Sequence, residues 1–473
     1  MSDSTHFHAR DGCFVTPATI DRGSQMIANR HAWLQWICAV VMFGLNGGWT
    51  YAAAPVTTTV YPTGSFPLDV QNVQAAIDRG GAVVLKATNA VGQPTAFDFG
   101  PADPQTGTGV NLTTDVSILG ERFGPYATTI RGGFNSILGL VPVTSTIQGI
   151  DFEGPLVSPI ALIRSTGADI VGNRIRGIVP LLLFFGFTEV EGIFVSGFDD
   201  PQNAITGRIR IADNTIEVSD GDFANGMQFD EVSADIEVSG NTVRFTESNG
   251  VIQTLGILVF RSHGKADVVN NLVTMGPGDP DAFPVGIFVG GHSEARYVIR
   301  GNTIITDHPN ADGMDVVGLP FSGSSQGAVI EGNHIIMHSL ISTSGGIAFA
   351  GAVRNSLMSA NRIEGTSGNA IQVLGLGSTL TADSNHAVGN DISQLSASDG
   401  DVFFGPDSIN NLFAGHCNTY ADLGIGNRIL CGSAIDSAAS ATRIANRPRP
   451  MIDMLVDDIR RARLDAMRNR LAR

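Results

Sequence analysis

Lysine is nearly missing from this 473-residue chain: Lys86 and Lys265 are the only two. Long surface helices draw on lysine, glutamate and alanine, so the shortage argues against a helical bundle. Charged residues amount to 16% and aromatic residues to 7%. Hydrophobic residues reach 43%, which excludes a disordered chain. No apolar run is long enough to cross a membrane comfortably; the best, Trp33 to Leu45, is short and flanked by glycine. Zinc-type cysteine and histidine spacing is also missing, with four cysteines in all. What is abundant is glycine, at 57 residues, which suits many tight turns between short strands.

Charge is uneven. Residues 55–442 hold seventeen basic and thirty-eight acidic side chains, a net of −21. The tail from Arg443 holds nine arginines and four aspartates, a net of +5. An acidic body is a poor partner for phosphate backbones, so no nucleic-acid role is expected. It also repels polyanionic glycans unless a local basic patch or a bound cation intervenes.

Residues 1–54 read as an export signal: Arg30, then the apolar stretch, then the small residues Ala52 to Ala54. Met26 opens a conventional signal, so residues 1–25 read as an extension ahead of it. The expectation is a secreted or periplasmic protein, not an integral membrane protein once the signal is cleaved. Cys417 and Cys431 then remain as an even pair in an oxidising compartment, which fits a disulfide; two free buried cysteines are the alternative.

Internal repetition is the strongest signal. A turn asparagine followed by alternating apolar residues recurs at Asn173, Asn214, Asn241, Asn271, Asn302, Asn333 and Asn361. A second half-unit begins with glycine and an apolar residue, as in Gly192-Ile-Phe-Val, Gly226-Met-Gln-Phe, Gly256-Ile-Leu-Val, Gly286-Ile-Phe-Val and Gly313-Met-Asp-Val. A third short strand precedes each asparagine, for example Tyr297-Val-Ile-Arg. Alternation sends one set of side chains inward, and a four-residue strand cannot bury its apolar face alone. Stacking the units gives parallel sheets around one continuous core. The asparagines are expected to sit at sharp corners, in the left-handed backbone region, bonding to the asparagine of the next coil.

The predicted fold is therefore all-β: a right-handed parallel β-helix of about ten three-strand coils over residues 55–432. An N-terminal capping helix from Leu68 is expected, with Asp69 as its N-cap and Val70, Val73 and Ile77 as its apolar stripe. Residues 433–473 read as a linker and a basic amphipathic helix, Met451 to Leu471, suited to packing or to homo-oligomer contact.

These Gly-Ile-x-Val and Gly-Asn-x-Ile units resemble the right-handed β-helix proteins of the pectate-lyase-like superfamily, including NosD-type repeats. The resemblance covers roughly residues 65–432 and implies the fold more than a reaction, because that architecture carries lyases, hydrolases, epimerases and scaffolds alike. The catalytic motifs of its hydrolases are out of order here. The Asp-Pro-His-Asp of mannuronan epimerases has only the scrambled echo Asp307-His-Pro-Asn310.

A site on a solenoid must be assembled across coils at one phase. The turn after the Gly-Ile strand offers Asp200, then Asp230 and Glu231, then Arg261 and His263, then His292. Carboxylates beside cations could neutralise a sugar carboxylate, remove a proton and re-protonate, as a polysaccharide lyase or epimerase requires, or serve as a glycosidase pair. A solvated turn of mixed charge is the competing reading. Phe194 and Phe288, at outward positions, could stack on sugar rings or lie under a covering loop. Asp307, His308, Asp312 and Asp315 have donors suited to a divalent cation such as calcium, although an ordinary loop accounts for them as well. Two functions stay open: binding or modifying polysaccharide or cell-surface glycan, and a non-catalytic interaction platform.

Overall fold

The computed structural model describes residues 56–101, 109–182, 188–197, 207–219, 221–249, 253–291, 295–318, 324–338, 344–375 and 380–431. The signal region, the C-terminal helix, Asp200 and His292 lie outside the described residues. Among the described residues no helix is long and apolar enough to cross a membrane.

One coil shows the plan. Strand Lys265–Val269 runs into a corner at Asn270 and Asn271, and strand Leu272–Met275 follows. Strand Pro284–Gly290 completes the coil before Arg296–Arg300 begins the next. Lys265–Val269 pairs in parallel with Arg296–Arg300, Lys265 opposite Arg296. Repeating this step builds a wall of fourteen strands, here called the long wall. The strands after the asparagine corner and those after the Gly-Ile signal form the other two walls, hydrogen-bonded into a 23-strand sheet. The chain is a right-handed parallel β-helix.

The core is a pile of side chains in register. Ile137, Ile160, Ile193, Met227, Ile257, Ile287, Met314, Ile347, Ile371 and Val402 pair successively down the Gly-Ile wall. All ten are 0% exposed, and the column is as deep as the coil number expected from the repeat. Each such side chain contributes about 1.5–3 kcal/mol by leaving water. The glycine before six of them, Ile193 to Ile347, has a packing reason. A Cβ on Gly256 would lie 2.3 Å from Gly286 O and 2.5 Å from Val273 Cγ1, so only glycine lets the two walls meet there.

The corner asparagines form an unbroken ladder, with one correction to their role. The left-handed residue is the one before each asparagine: Gly172, Asp213, Gly240, Asn270, Gly301, Gly332 and Ala360 all have φ between 51° and 66°. The asparagine is thus free to bond along the stack. Asn271 N–H and Nδ2 donate to Asn302 Oδ1 at 2.9 and 3.0 Å, and Nδ2 also donates to Val238 O at 2.9 Å. The ladder continues to Asn390. A second runs through Ser356, Asn385, Asn411 and Asn427 at another corner.

The capping helix spans Leu68–Ile77, with Val73 and Ile77 buried against the core and Val70 half-buried. Asp69 is not its N-cap. Pro67 holds that position, and the fully buried Asp69 carboxylate instead accepts from Thr63 N–H and Oγ1–H, Gly64 N–H, Ser65 N–H and Asp98 N–H at 2.7–3.2 Å. It ties the entry loop and the first coil to the helix. Cys417 and Cys431 are joined as a disulfide.

Candidate functional site

The glycine bend in each Gly-Ile strand gives that wall two outward positions, three residues apart. Asn225 and Gln228 show this: Asn225 Nδ2 donates to Gln228 Oε1 at 2.7 Å across the inward Met227. The outward columns read Glu191, Asn225, Leu255, Val285 and Asp312, and Phe194, Gln228, Leu258, Phe288, Asp315, Ala348 and Gln372. This face is polar at both ends and apolar in the middle, where Phe288 packs with Leu255, Leu258 and Val285.

The two polar ends differ in how they are satisfied. Upstream, Gln253 Nε2 donates to Asn225 Oδ1 at 2.9 Å, and Asn225 serves Gln228 in turn. Downstream, Asp312 and Asp315 are 1% and 6% exposed, and Asn369 and Gln372 are 6% and 1% exposed. There Asp315 Oδ1, Asn369 Oδ1 and Gln372 Oε1 are buried without a hydrogen-bond partner. Leaving such an atom unpaired costs about 1–3 kcal/mol each, so three on one face mark an acceptor-lined niche built for donors.

Small residues lie between the acid and amide rows. A Cβ on Gly345 would come 2.9 Å from Gln372 Nε2 and 3.3 Å from Asp312 Oδ1, so glycine keeps the gap open. Ala348 separates Asp315 from Gln372 along the column. Gly345 N–H donates to Asp312 Oδ1. Asp312 and Asp315 stand three residues apart on this face, near enough for each carboxyl to influence the other. Burial, then the charge of Asp315, pushes Asp312 well above the usual carboxyl range. Burial likewise pushes Asp315 up to about 7, with Asp312 acting in the opposite sense. The two carboxyls therefore titrate as a pair, both displaced upward.

The charged turn assembles differently. Arg261 Nη2 lies 3.2 Å from both Asp230 oxygens, also pairs with Glu231, and sits 5.5 Å from the centre of the Phe260 ring. Glu231 and Arg261 both occupy the left-handed region, at φ 58° and 52°. His263 is exposed and its backbone N–H donates to Val232 O. Phe194 is 5% exposed, so its ring is covered; Phe288 is half-buried, 6.1 Å from the Phe260 ring.

The four residues considered for a cation are not brought together. Asp307 Oδ1 meets His338 Nδ1 at 2.7 Å, while Asn310 N–H donates to His308 Nδ1 at 3.0 Å. Only Asp312 and Asp315 converge. Among the described residues no group of three or more histidine, cysteine, aspartate or glutamate side chains is placed to hold a metal. The sequence groups Asp312 and Asp315 with Asp307 and His308 as a candidate cation cluster; the structure keeps only the two aspartates together. The sequence signal that could have found it is the Gly-Met-Asp-Val unit, where aspartate replaces the outward apolar residue.

No known family profile matches the chain, and no curated protein matches it. Among solved structures it is similar to the A-module of mannuronan C-5 epimerase AlgE6 from Azotobacter vinelandii. Identity is 13% and the TM-score 0.41, over 77% of this chain and 95% of that one. It is also similar to the AlgE4 A-module from the same organism, at 13% identity and a TM-score of 0.30, over 77% of this chain and 92% of that one.

Proposed function

We propose that this protein is an exported, secreted or periplasmic, β-helix that takes a polysaccharide across the outward face of its Gly-Ile wall and moves a proton on it at Asp315. The observation that carries the reading is the niche itself: Asp315 Oδ1, Asn369 Oδ1 and Gln372 Oε1 are buried without hydrogen-bond partners, with the buried Asp312 carboxyl on the same face. Sugar hydroxyls are the donors such a niche would satisfy. Asp315, poised near 7, is the base or acid, and Asp312 supplies or retains the second proton.

The two carboxyls lie three residues apart on one strand and the same face, which argues against a glycosidase role for them. That chemistry needs its two carboxyl groups about 5 Å or more apart, on either side of the scissile bond. Removal of a proton beside a sugar carboxylate, leading to elimination or epimerisation, fits a contiguous pair better. A protonated Asp312 could bond the substrate carboxylate while Asp315 takes the carbon-bound proton. Because both carboxyls are nearly shut off from solvent, sugar must enter the face before any proton moves. The disulfide suits an oxidising compartment, as export requires.

The test is a panel of acidic and neutral polysaccharides, followed by unsaturated-uronate absorbance and by calorimetric binding, for the wild type and Asp315→Asn. The reading expects binding by both proteins and turnover by the wild type alone. Absence of binding to every glycan would overturn it and leave the pair as a structural feature of an interaction platform.

A further inference from the structure

Aromatic side chains are unevenly exposed along the solenoid. Among the described residues four are exposed, Tyr61, Phe66, Phe123 and Tyr126, at 44%, 38%, 53% and 49%. All belong to the entry loop and the first coils. From Phe134 onward every described phenylalanine and tyrosine is buried or half-buried. A ring left in water forgoes the gain of burial, so a group of them at one end marks a contact surface. Charge sets this end apart as well: seven basic and nine acidic side chains over residues 55–176, a net of −2, against −19 over residues 177–442. Neither a neutral nor an acidic ligand is repelled there.

The same place holds an open cavity of about 560 Å³, within the about 300–1,000 Å³ of small-ligand sites. Unequal strand lengths leave it. Strand Tyr126–Arg131 has six residues, but its neighbour in the preceding coil, Phe97–Asp98, has two and meets only Ile130 and Arg131. A hairpin partner, Arg122–Phe123, pairs with Tyr126 and Ala127 instead. Thr95, Asp98, Tyr126, Thr129 and Arg131 line the space beside them.

This lining holds donors and acceptors side by side. Arg131 bonds Glu153 through Nε at 2.9 Å, its side chain is 65% exposed, and among the described residues its Nη groups form no bond. Asp98 stands opposite Arg131 in register and accepts from Gly100 N–H through Oδ1 at 2.9 Å. Thr95 and Thr129 hydroxyls donate to Gln93 O and Ala127 O, which leaves their oxygens able to accept. A guanidinium fork beside a carboxylate can bridge neighbouring hydroxyls, and an adjacent aromatic ring covers the apolar face of the molecule that carries them.

We infer that this cavity is a sugar-binding site: a pyranose residue of a glycan stacks on Tyr126 while its hydroxyls bridge Asp98 and Arg131. It is separate from the Asp315 niche. Six steps of the Gly-Ile column, from Ile137 to Met314, lie between the two coils, about 29 Å at roughly 4.8 Å per step. The cavity holds glycan at the first coils whether or not Asp315 reacts.

Calorimetry and saturation-transfer NMR test this with glucose, galactose, mannose and glucuronate, and with acetate as a carboxylate that lacks the ring. At least one sugar should bind the wild type, and Tyr126→Ala and Arg131→Ala should each weaken it by about tenfold or more. Tyr126→Phe, which keeps the ring, should bind nearly as the wild type does. Both positions are exposed and Glu153 keeps its pair with Arg176, so the variants should melt as the wild type does. An oligosaccharide of the bound sugar should bind at least as tightly as the single ring. Asp315→Asn should bind these sugars unchanged, so loss of turnover there and loss of binding here are read apart. The inference is overturned if none of the four sugars binds, or if both alanine variants bind as the wild type does. Equal binding of acetate, a weaker oligosaccharide, or an equal loss in Asp315→Asn would overturn it too.

Discussion

Asp312 and Asp315 flank the inward Met314 on one outward face, where they are 1% and 6% exposed. Burial raises both above the ordinary carboxyl range, Asp315 to about 7. The folded protein therefore binds protons that the unfolded chain, with ordinary aspartates, releases near pH 4. Where the native state holds more protons, stability falls as pH rises. The wild type should lose stability between about pH 4 and 7, by on the order of 1 kcal/mol per unit. Asp315→Asn should flatten that slope. Denaturant unfolding at a series of pH values measures it, and parallel wild-type and variant curves would contradict a raised Asp315 carboxyl.

The asparagine ladder makes a different demand. Asn271 is 2% exposed, donates to Asn302 and Val238, and accepts from Asn241 N–H and Nδ2 at 3.0 Å. Asn271→Ala removes these bonds and strands partners on both neighbouring coils, at about 2–4 kcal/mol on the scale of buried unsatisfied groups. Asn418→Ala, at an exposed position, is the control and should change the midpoint little. Calorimetric melting separates the two.

Gly256→Ala should be worse than its single methyl suggests. The added carbon would meet Gly286 O and Val273 Cγ1 inside normal contact, and one of those atoms is backbone in the next coil. Overpacking of this kind costs about 1–3 kcal/mol or more, and here it forces two walls apart. A midpoint within a degree or so of the wild type would show that the glycine is not required for wall contact.

Arg261→Ala distinguishes stabilising charge from catalytic charge. Its loss removes an ion pair with Glu231, which is 4% exposed, and opens the bond to Asp230. Breaking a buried pair on one side costs about 3–5 kcal/mol, so the unfolding midpoint should fall. Turnover of any substrate found should survive at temperatures where the variant is folded. Activity abolished in a folded Arg261→Ala protein would move the reacting centre to the turn.

Much of this architecture is legible in the residues. The phase between Asn271 and Gly256, and between Asn302 and Gly286, fixes three short strands per coil, and the inward column from Ile193 to Met314 lies where alternation puts it. Local geometry was read less well. The left-handed backbone belongs to the residue before each asparagine, because the side chain that bonds along the stack must leave an ordinary backbone behind it. Asp69 looked like a cap by its place before an apolar stripe, yet it gathers loop amides from Thr63 to Asp98 that only the folded chain brings near. The candidate site was least legible. Alternation shows that Asp315 faces outward but not that the outward face is buried, and burial is what raises Asp312 and Asp315 above the range of solvated acids. The stack also brings His334 to Glu364 at 2.9 Å and His338 to Asp307 at 2.7 Å, contacts between residues about thirty apart in the chain.

Proton transfer at Asp315 is tested most directly by following a polysaccharide found to bind, in heavy water, by NMR. The wild type should place deuterium on a sugar carbon, or leave an unsaturated uronate, at a rate that rises through about pH 7 as Asp315 loses its proton; Asp315→Asn should do neither while still binding. Equal deuterium uptake or elimination by the wild type and a folded Asp315→Asn protein would contradict the assignment.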